Sequence, residues 1–262
     1  MCDNWLFMTR CPYPAVAAVL ALALGAVACG GGSPQQPAPA EPAVVANPVN
    51  PATAGTVSGT ITFAGTPPAP RPIAMTSDPN CRPQTGTSTE TVVVSNGALQ
   101  NVFVYVKDGL GDLRFPVPAT AVVLDQQGCR YLPHVVGIQA GQPLEIVNSD
   151  PTLHNVHAIA EINREFNTGQ PVQGMRHTHT FSTREVMVPF KCDVHGWMRA
   201  YVGVLDHPFY AVTAADGTFR LTGLPPGTYT VEAWHETLGT RTQRVTLGDA
   251  DSQDVAFSFT AT

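Results

Sequence analysis

Phe190-Lys191-Cys192-Asp193-Val194-His195-Gly196-Trp197-Met198 places a thiol, an imidazole and a thioether at intervals of three residues. A tight loop of that spacing can turn Cys192, His195 and Met198 toward one point. A further imidazole stands upstream, in Asp150-Pro151-Thr152-Leu153-His154-Asn155-Val156-His157. Together His154, Cys192, His195 and Met198 offer two nitrogens, one thiolate and a weak thioether. That set suits a copper ion moving between Cu(I) and Cu(II). The same Cys and His donors would also take zinc, and the bland alternative is a barrel that has lost its metal. A binuclear copper centre needs a second Cys in the ligand loop, and there is none.

At these residues the chain resembles the cupredoxins, the blue-copper proteins. The loop Cys192–His195–Met198 is similar to the short ligand loop of the amicyanins. Residues 136–148, from Val136 through Gly141 to Asn148, are similar to the strand–turn–strand that precedes the first ligand His of the plastocyanins. The resemblance runs from about Ala119 to Asp206 and covers roughly a third of the chain. It implies a Greek-key β-barrel holding one type 1 copper, with His154, Cys192 and His195 equatorial and Met198 axial. By the same matching, Asn155 ties the first ligand strand to the cysteine loop, and His195 is an exposed edge through which electrons leave. The function implied is single-electron exchange with a redox protein partner, without catalysis on a substrate; the alternatives are a copper-binding or delivery protein and a non-catalytic β-scaffold module.

The rest of the chain is read as β-structure as well. It has 262 residues, 24 Pro, 23 Gly and only 13% charged residues, a composition for short strands and many turns. The net charge of −6 and the absence of a basic stripe give no sign of nucleic-acid binding. Val57-Ser58-Gly59-Thr60-Ile61-Thr62-Phe63 alternates apolar and polar residues, and Glu90–Ser95 and Leu99–Lys107 continue the period of two, with Val102, Val104 and Val106 on one face. No helical period of useful length is present. The fold class is therefore all-β.

Residues 1–28 read as an export signal: Arg10, then an apolar run from Ala15 to Ala28 too short to span a bilayer. Ala26-Val27-Ala28-Cys29 resembles a bacterial lipoprotein cleavage site, which would lipidate Cys29 and tie the protein to a membrane. An ordinary cut releasing a periplasmic protein is the other reading. Residues 29–55, rich in Gly, Ser, Pro and Ala, form an extended tether.

After Asp206, the segment Thr218-Phe219-Arg220-Leu221-Thr222-Gly223-Leu224-Pro225-Pro226-Gly227-Thr228-Tyr229-Thr230-Val231 reads as two strands joined by a Pro-Pro-Gly turn into a hairpin. Phe219 and Leu221 point inward on the first strand, and Tyr229, Val231 and Ala233 share one side of the second. It is similar to the carboxypeptidase regulatory-like, or transthyretin-like, β-sandwich, a likeness that speaks to fold and not to activity. The expected organisation is a cupredoxin domain at 113–205 inserted into a smaller β-sandwich made by 56–112 and 206–262. The simpler division is one cupredoxin domain at 56–205 followed by a separate 206–262.

Cysteine parity bears on the site. Cys2 and Cys11 leave with the signal, and Cys29 is the lipid site. If Cys192 binds metal, Cys81 and Cys129 remain to form a disulfide in an oxidising compartment, or else stay as two buried thiols. Among the other histidines, His157 reads as a surface group or a support for the ligands. His177 and His179 share a solvated strand face, His134 has no spacing that requires it at the site, and His207 and His235 are structural. Trp197 either projects beside His195 as a docking surface for a partner or packs on the barrel rim.

Overall fold

The computed structural model describes residues 45–261, and the signal and Cys29 lie outside the described residues. Eighteen strands and one 3-10 turn, Arg82–Gln84, make up the regular structure, with no α-helix among the described residues. The protein is all-β.

Two sheets face each other around the candidate donors His154, Cys192, His195 and Met198. One has the order β10 (Phe166–Gln170), β9 (His154–Ala158), β12 (Glu185–Lys191), β13 (Arg199–Leu205), β7 (Val135–Gln139). The other runs β11 (Arg176–Thr180), β8 (Pro143–Asn148), β5 (Val122–Gln126), β6 (Tyr131–Leu132). The chain crosses between them at β6–β7, β7–β8, β8–β9, β10–β11 and β11–β12. Their apolar faces meet in a core that includes Leu124, Ile138, Ile146, Val156, Phe181, Phe190 and Val202, and Cys192 and Met198 belong to it. The candidate donors Cys192 and Met198 are therefore packed against the sandwich core.

A second pair of sheets draws on both ends of the chain. In one, β1 (Gly55–Ala64) pairs antiparallel with β15 (Thr218–Leu224), parallel with β18 (Ser252–Thr260), and at Thr62 with β3 (Ala98–Leu99), whose other neighbour is β2 (Val94–Ser95). In the other, β4 (Phe103–Asp108) lies between β14 (Tyr210–Val212) and β16 (Gly227–His235), and β17 (Gly239–Leu247) closes the edge. Val57, Ile61, Phe63, Val104, Val106, Leu221, Val231 and Phe259 fill the space between. With nine strands each, the two sandwiches are matched in strand number, so this one is not the smaller partner that the sequence suggested.

The strands around Pro225-Pro226-Gly227 differ from the sequence reading. β15 and β16 do not pair; the turn carries the chain from one sheet to the facing one. Phe219 and Leu221 do meet Tyr229, Val231 and Ala233, but across the core rather than along a ladder. β15 takes β1 as its partner and β16 takes β4 and β17, and no local pattern encodes such distant pairing. The run Leu99–Lys107 is also broken: Asn101 adopts a left-handed conformation (φ 62°), and Val102 N–H donates to the Thr213 hydroxyl instead of to a ladder. Of Glu90–Ser95, only Val94–Ser95 forms a strand.

β4 is buried on both faces. Val104 and Val106 enter the second sandwich, whereas Phe103 and Tyr105 pack with Val135, Met187 and Leu205 of the first. Gly137 and Gly203, opposite each other on β7 and β13, make room for this contact. A Cβ on Gly203 would lie 2.5 Å from the Phe103 ring, and one on Gly137 would lie 2.4 Å from Tyr210.

Two buried histidines are expected to make this scaffold acid-sensitive. His207 donates from Nε2 to the Val106 carbonyl (2.9 Å) and accepts the Phe209 N–H at Nδ1 (3.2 Å). His235 Nδ1 likewise accepts the N–H groups of Thr237 (3.2 Å) and Leu238 (3.4 Å). Burial pushes each pKa down to about 4, against the attraction of Asp206 for His207 and of Glu236 for His235; Arg184 and His134 add to the depression. A proton on either Nδ1 would face a backbone donor. The unfolded chain takes up these protons first, so the stability they confer is complete above about pH 6.5 and is lost as pH falls toward 4. The expected size is on the order of 3 kcal/mol for each group. Melting temperatures from pH 7.5 to 4.5 should fall less steeply for His207→Gln, which keeps a donor and an acceptor but does not titrate. Parallel profiles for the two proteins would refute this.

Candidate metal centre

His154 opens β9, and Cys192, His195 and Met198 lie between β12 and β13. The loop closes on itself: Met198 N–H donates to the His195 carbonyl (2.9 Å) and Cys192 N–H to the Met198 carbonyl (3.3 Å). The Cys192 sulfur accepts N–H groups from His195 (3.3 Å) and Asn155 (3.4 Å). Tyr131 stitches the two ligand segments together, its hydroxyl donating to the carbonyls of Asn155 (2.5 Å) and Lys191 (3.0 Å).

The structure brings three of the four proposed donors to one point. The His154 and His195 Nδ1 atoms lie 3.0 Å apart, and the Cys192 sulfur is 3.9 Å from His195 Nδ1. One ligand atom from each of the three falls within 4.8 Å of the others. Met198 is packed at the same end of the core, at 1% exposure. Burial raises the Cys192 thiol pKa, but hydrogen bonds to His154, His195 and backbone N–H groups outweigh it and bring the thiol down to about 6. Burial lowers the His154 pKa, and the hydrogen bonds to Asp150 and Cys192 carry it up to about 9. A thiolate and two convergent imidazole nitrogens fit a soft, redox-active metal such as copper.

His195 is not an exposed edge: only 2% of it is accessible. The segment between β1 and β2 covers it. This strap is rich in Pro, which supplies no ladder donors, and it is held by the Pro72–Ser88 bridge and by a disulfide from Cys81 to Cys129. The Cys81 sulfur is 3.8 Å from His195 Nε2, and Asp78 Oδ2 accepts from the same nitrogen at 3.1 Å. Trp197 is held rather than projecting. Its Nε1 donates to the Cys129 carbonyl (3.0 Å), and its ring packs on the cluster of Ile73, Met75, Cys81 and Cys129.

The remaining residues fall around this centre. Asn155 Oδ1 accepts the Asp193 N–H at 2.8 Å, joining β9 to the ligand loop. His157 bridges Asp193 (3.0 Å) and Glu165 (2.6 Å) and faces away from the donors. His134 pairs with Glu236 at 2.6 Å, and His177 and His179 line up beside Phe166 on β11. None of these four histidines joins a metal-sized cluster among the described residues. Sequence reasoning missed Asp78 and Asp150. Asp150 stood four residues before His154, whereas Asp78 was marked only by its neighbour Cys81.

The disulfide closes a span of 48 residues. Constraint of the unfolded chain over such a loop is worth about 4 kcal/mol in the chain-entropy picture. Cys81→Ala with Cys129→Ala is expected to lower Tm by roughly 10 °C and to speed hydrogen exchange at Asp78–Arg82 and His195. An unchanged Tm would mean the strap is held by packing alone.

Residues 199–260 match the carboxypeptidase regulatory-like domain family. A comparison with curated proteins gives no match. Among solved structures, the chain is similar to a Cu-containing nitrite reductase from Thermus scotoductus SA-01, at 21% identity and a TM-score of 0.32 over 36% of this chain and 24% of that one. It is also similar to a methionine-to-alanine variant of amicyanin in the Cu(I) state (21%, TM-score 0.29) and to an oxidised proline-to-glycine variant of amicyanin (20%, 0.30). Each of these matches covers 38% of this chain and 97% of the other. The protein is thus an all-β protein with a regulatory-like domain match at its C-terminal end and a weak structural likeness to cupredoxins.

Proposed function

We propose that this is an exported protein that binds one copper through His154, Cys192, His195 and Met198 and passes single electrons between redox protein partners. The observation that carries the reading is the convergence of two imidazole Nδ1 atoms and a low-pKa thiol in a site closed to solvent on every donor. Copper bound there would supply one-electron chemistry between Cu(I) and Cu(II). The chain's part is to fix the donors before the metal arrives, exclude water and hold the thiol ionised. Burial also favours an electron carrier over a delivery protein, because a carrier must keep its metal.

With the His195 edge covered, contact with a partner falls to other surfaces. Exposed apolar side chains beside the ligands in sequence, Leu153 and Val194, offer one. The disulfide suits an oxidising compartment, which agrees with a periplasmic or cell-surface protein anchored through Cys29. The domain reading that goes with this places the copper unit, 113–205, as an insertion between 56–112 and 206–262.

Loading the purified protein with Cu(II) should give one metal per chain and an intense thiolate-to-copper band in the visible. A colourless protein that prefers zinc, or one that takes up no metal, would overturn the proposal.

A further inference from the structure

Each ligand imidazole is held from behind by a carboxylate. His154 Nε2 lies 2.8 Å from Asp150 Oδ2, and His195 Nε2 lies 3.1 Å from Asp78 Oδ2. Neither carboxylate is free to swing away. Asp150 accepts the N–H groups of Gly128 and Cys129, both at 2.8 Å. Asp78 accepts the Thr152 hydroxyl at 2.7 Å and the Asn80 N–H at 2.7 Å. The two clamps are also joined to each other. Cys81 N–H donates to the Asp78 carbonyl (3.1 Å), Cys129 N–H donates to Asp150, and the disulfide links the two cysteines. Thr152, which holds Asp78, is two residues from both Asp150 and His154.

A neutral imidazole has one N–H and one lone pair, and the partner of one nitrogen sets the state of the other. A carboxylate accepts only, so it requires the proton on Nε2 and leaves Nδ1 to face the centre. We infer that Asp78 and Asp150 are positioning residues that keep a proton on Nε2 of both ligand imidazoles, so that Nδ1 is the nitrogen presented to the metal. Asp78 reaches the site from the strap, outside the segment that carries the copper donors. The consequence for redox chemistry rests on the copper reading above. Two carboxylates behind the ligands make the imidazoles more basic and favour Cu(II) over Cu(I).

Two measurements test this. Long-range proton–nitrogen NMR of the metal-free wild-type protein should show a proton on Nε2 of both His154 and His195. A bare Nε2 on either ring would overturn the inference whether or not the protein binds copper. In the copper-loaded protein, Asp78→Asn and Asp150→Asn should each weaken Cu(II) binding by about 10- to 100-fold and Cu(I) binding by less. Each tenfold change in that preference raises the potential by about 59 mV. Folded variants with an unchanged potential would refute the tuning role. Protonated Nε2 atoms in a protein that takes up no copper would leave the clamps standing and remove the copper reading.

Discussion

Residues 206–262, expressed alone, are expected to stay unfolded. The segment contains β14 to β18, yet no ladder joins β15 to β18: β1 lies between them and pairs with both. The parallel register of β1 with β18 runs from Thr56 opposite Ser252 to Ala64 opposite Thr260. β4 does the same for β14 and β16. Without 55–108, the one extensive ladder left is the hairpin of β16 and β17, and a lone hairpin is marginal in water. The core would also lose Val57, Ile61, Phe63, Leu99, Val102, Val104 and Val106. At about 1.5–3 kcal/mol for each large side chain, that loss is on the order of 10–20 kcal/mol and matches or exceeds the whole stability of an ordinary domain. Starting at Arg199, where the family match begins, adds only β13, whose partners β7 and β12 are also missing. Circular dichroism of a coil and collapsed amide dispersion are the expected observations. A cooperative melt of 206–262 would instead restore the simpler two-domain division.

The cluster of His154, Cys192 and His195 was legible in the sequence because its residues lie in two short motifs, and short loops bring their residues together whatever the distant chain does. The alternation in Val57–Phe63 was legible for a similar reason: a period of two needs only one buried face. What could not be read was pairing and covering. Thr218–Leu224 looks the same whether it pairs with the next strand or, as here, with β1. Phe103 and Tyr105 stand on the face opposite Val104 and Val106, and nothing local says that a second sandwich will bury them too. The strap was hidden most completely. Its prolines remove periodicity, its role depends on contact with a loop more than a hundred residues away, and it turns His195 from an exposed edge into a buried one. Asp78 therefore carried no signal beyond the cysteine three residues on.

Cys192→Ser is expected to abolish the visible band of the copper-loaded protein while leaving the fold in place. The band needs a sulfur donor, and among the described residues Cys192 is the free thiol, Cys81 and Cys129 being joined to each other. Among the described residues no other thiol is therefore left to supply a thiolate when Cys192 is replaced. The hydroxyl of Ser can accept the N–H groups of His195 and Asn155 that now reach the sulfur, so the loop keeps its local partners. It will not ionise as a thiol with a pKa of about 6 does. Loss of an outer partner of a ligand costs about 10- to 100-fold in affinity, so loss of the thiolate itself should cost more than about 100-fold for Cu(I). Metal titration, visible absorption and Tm of the two proteins, measured side by side, separate the outcomes. A Ser variant that melts with the wild type but has lost its colour and its Cu(I) affinity assigns the thiolate. One that keeps the band would place copper elsewhere, and the convergence of His154 and His195 on Cys192 would then be packing.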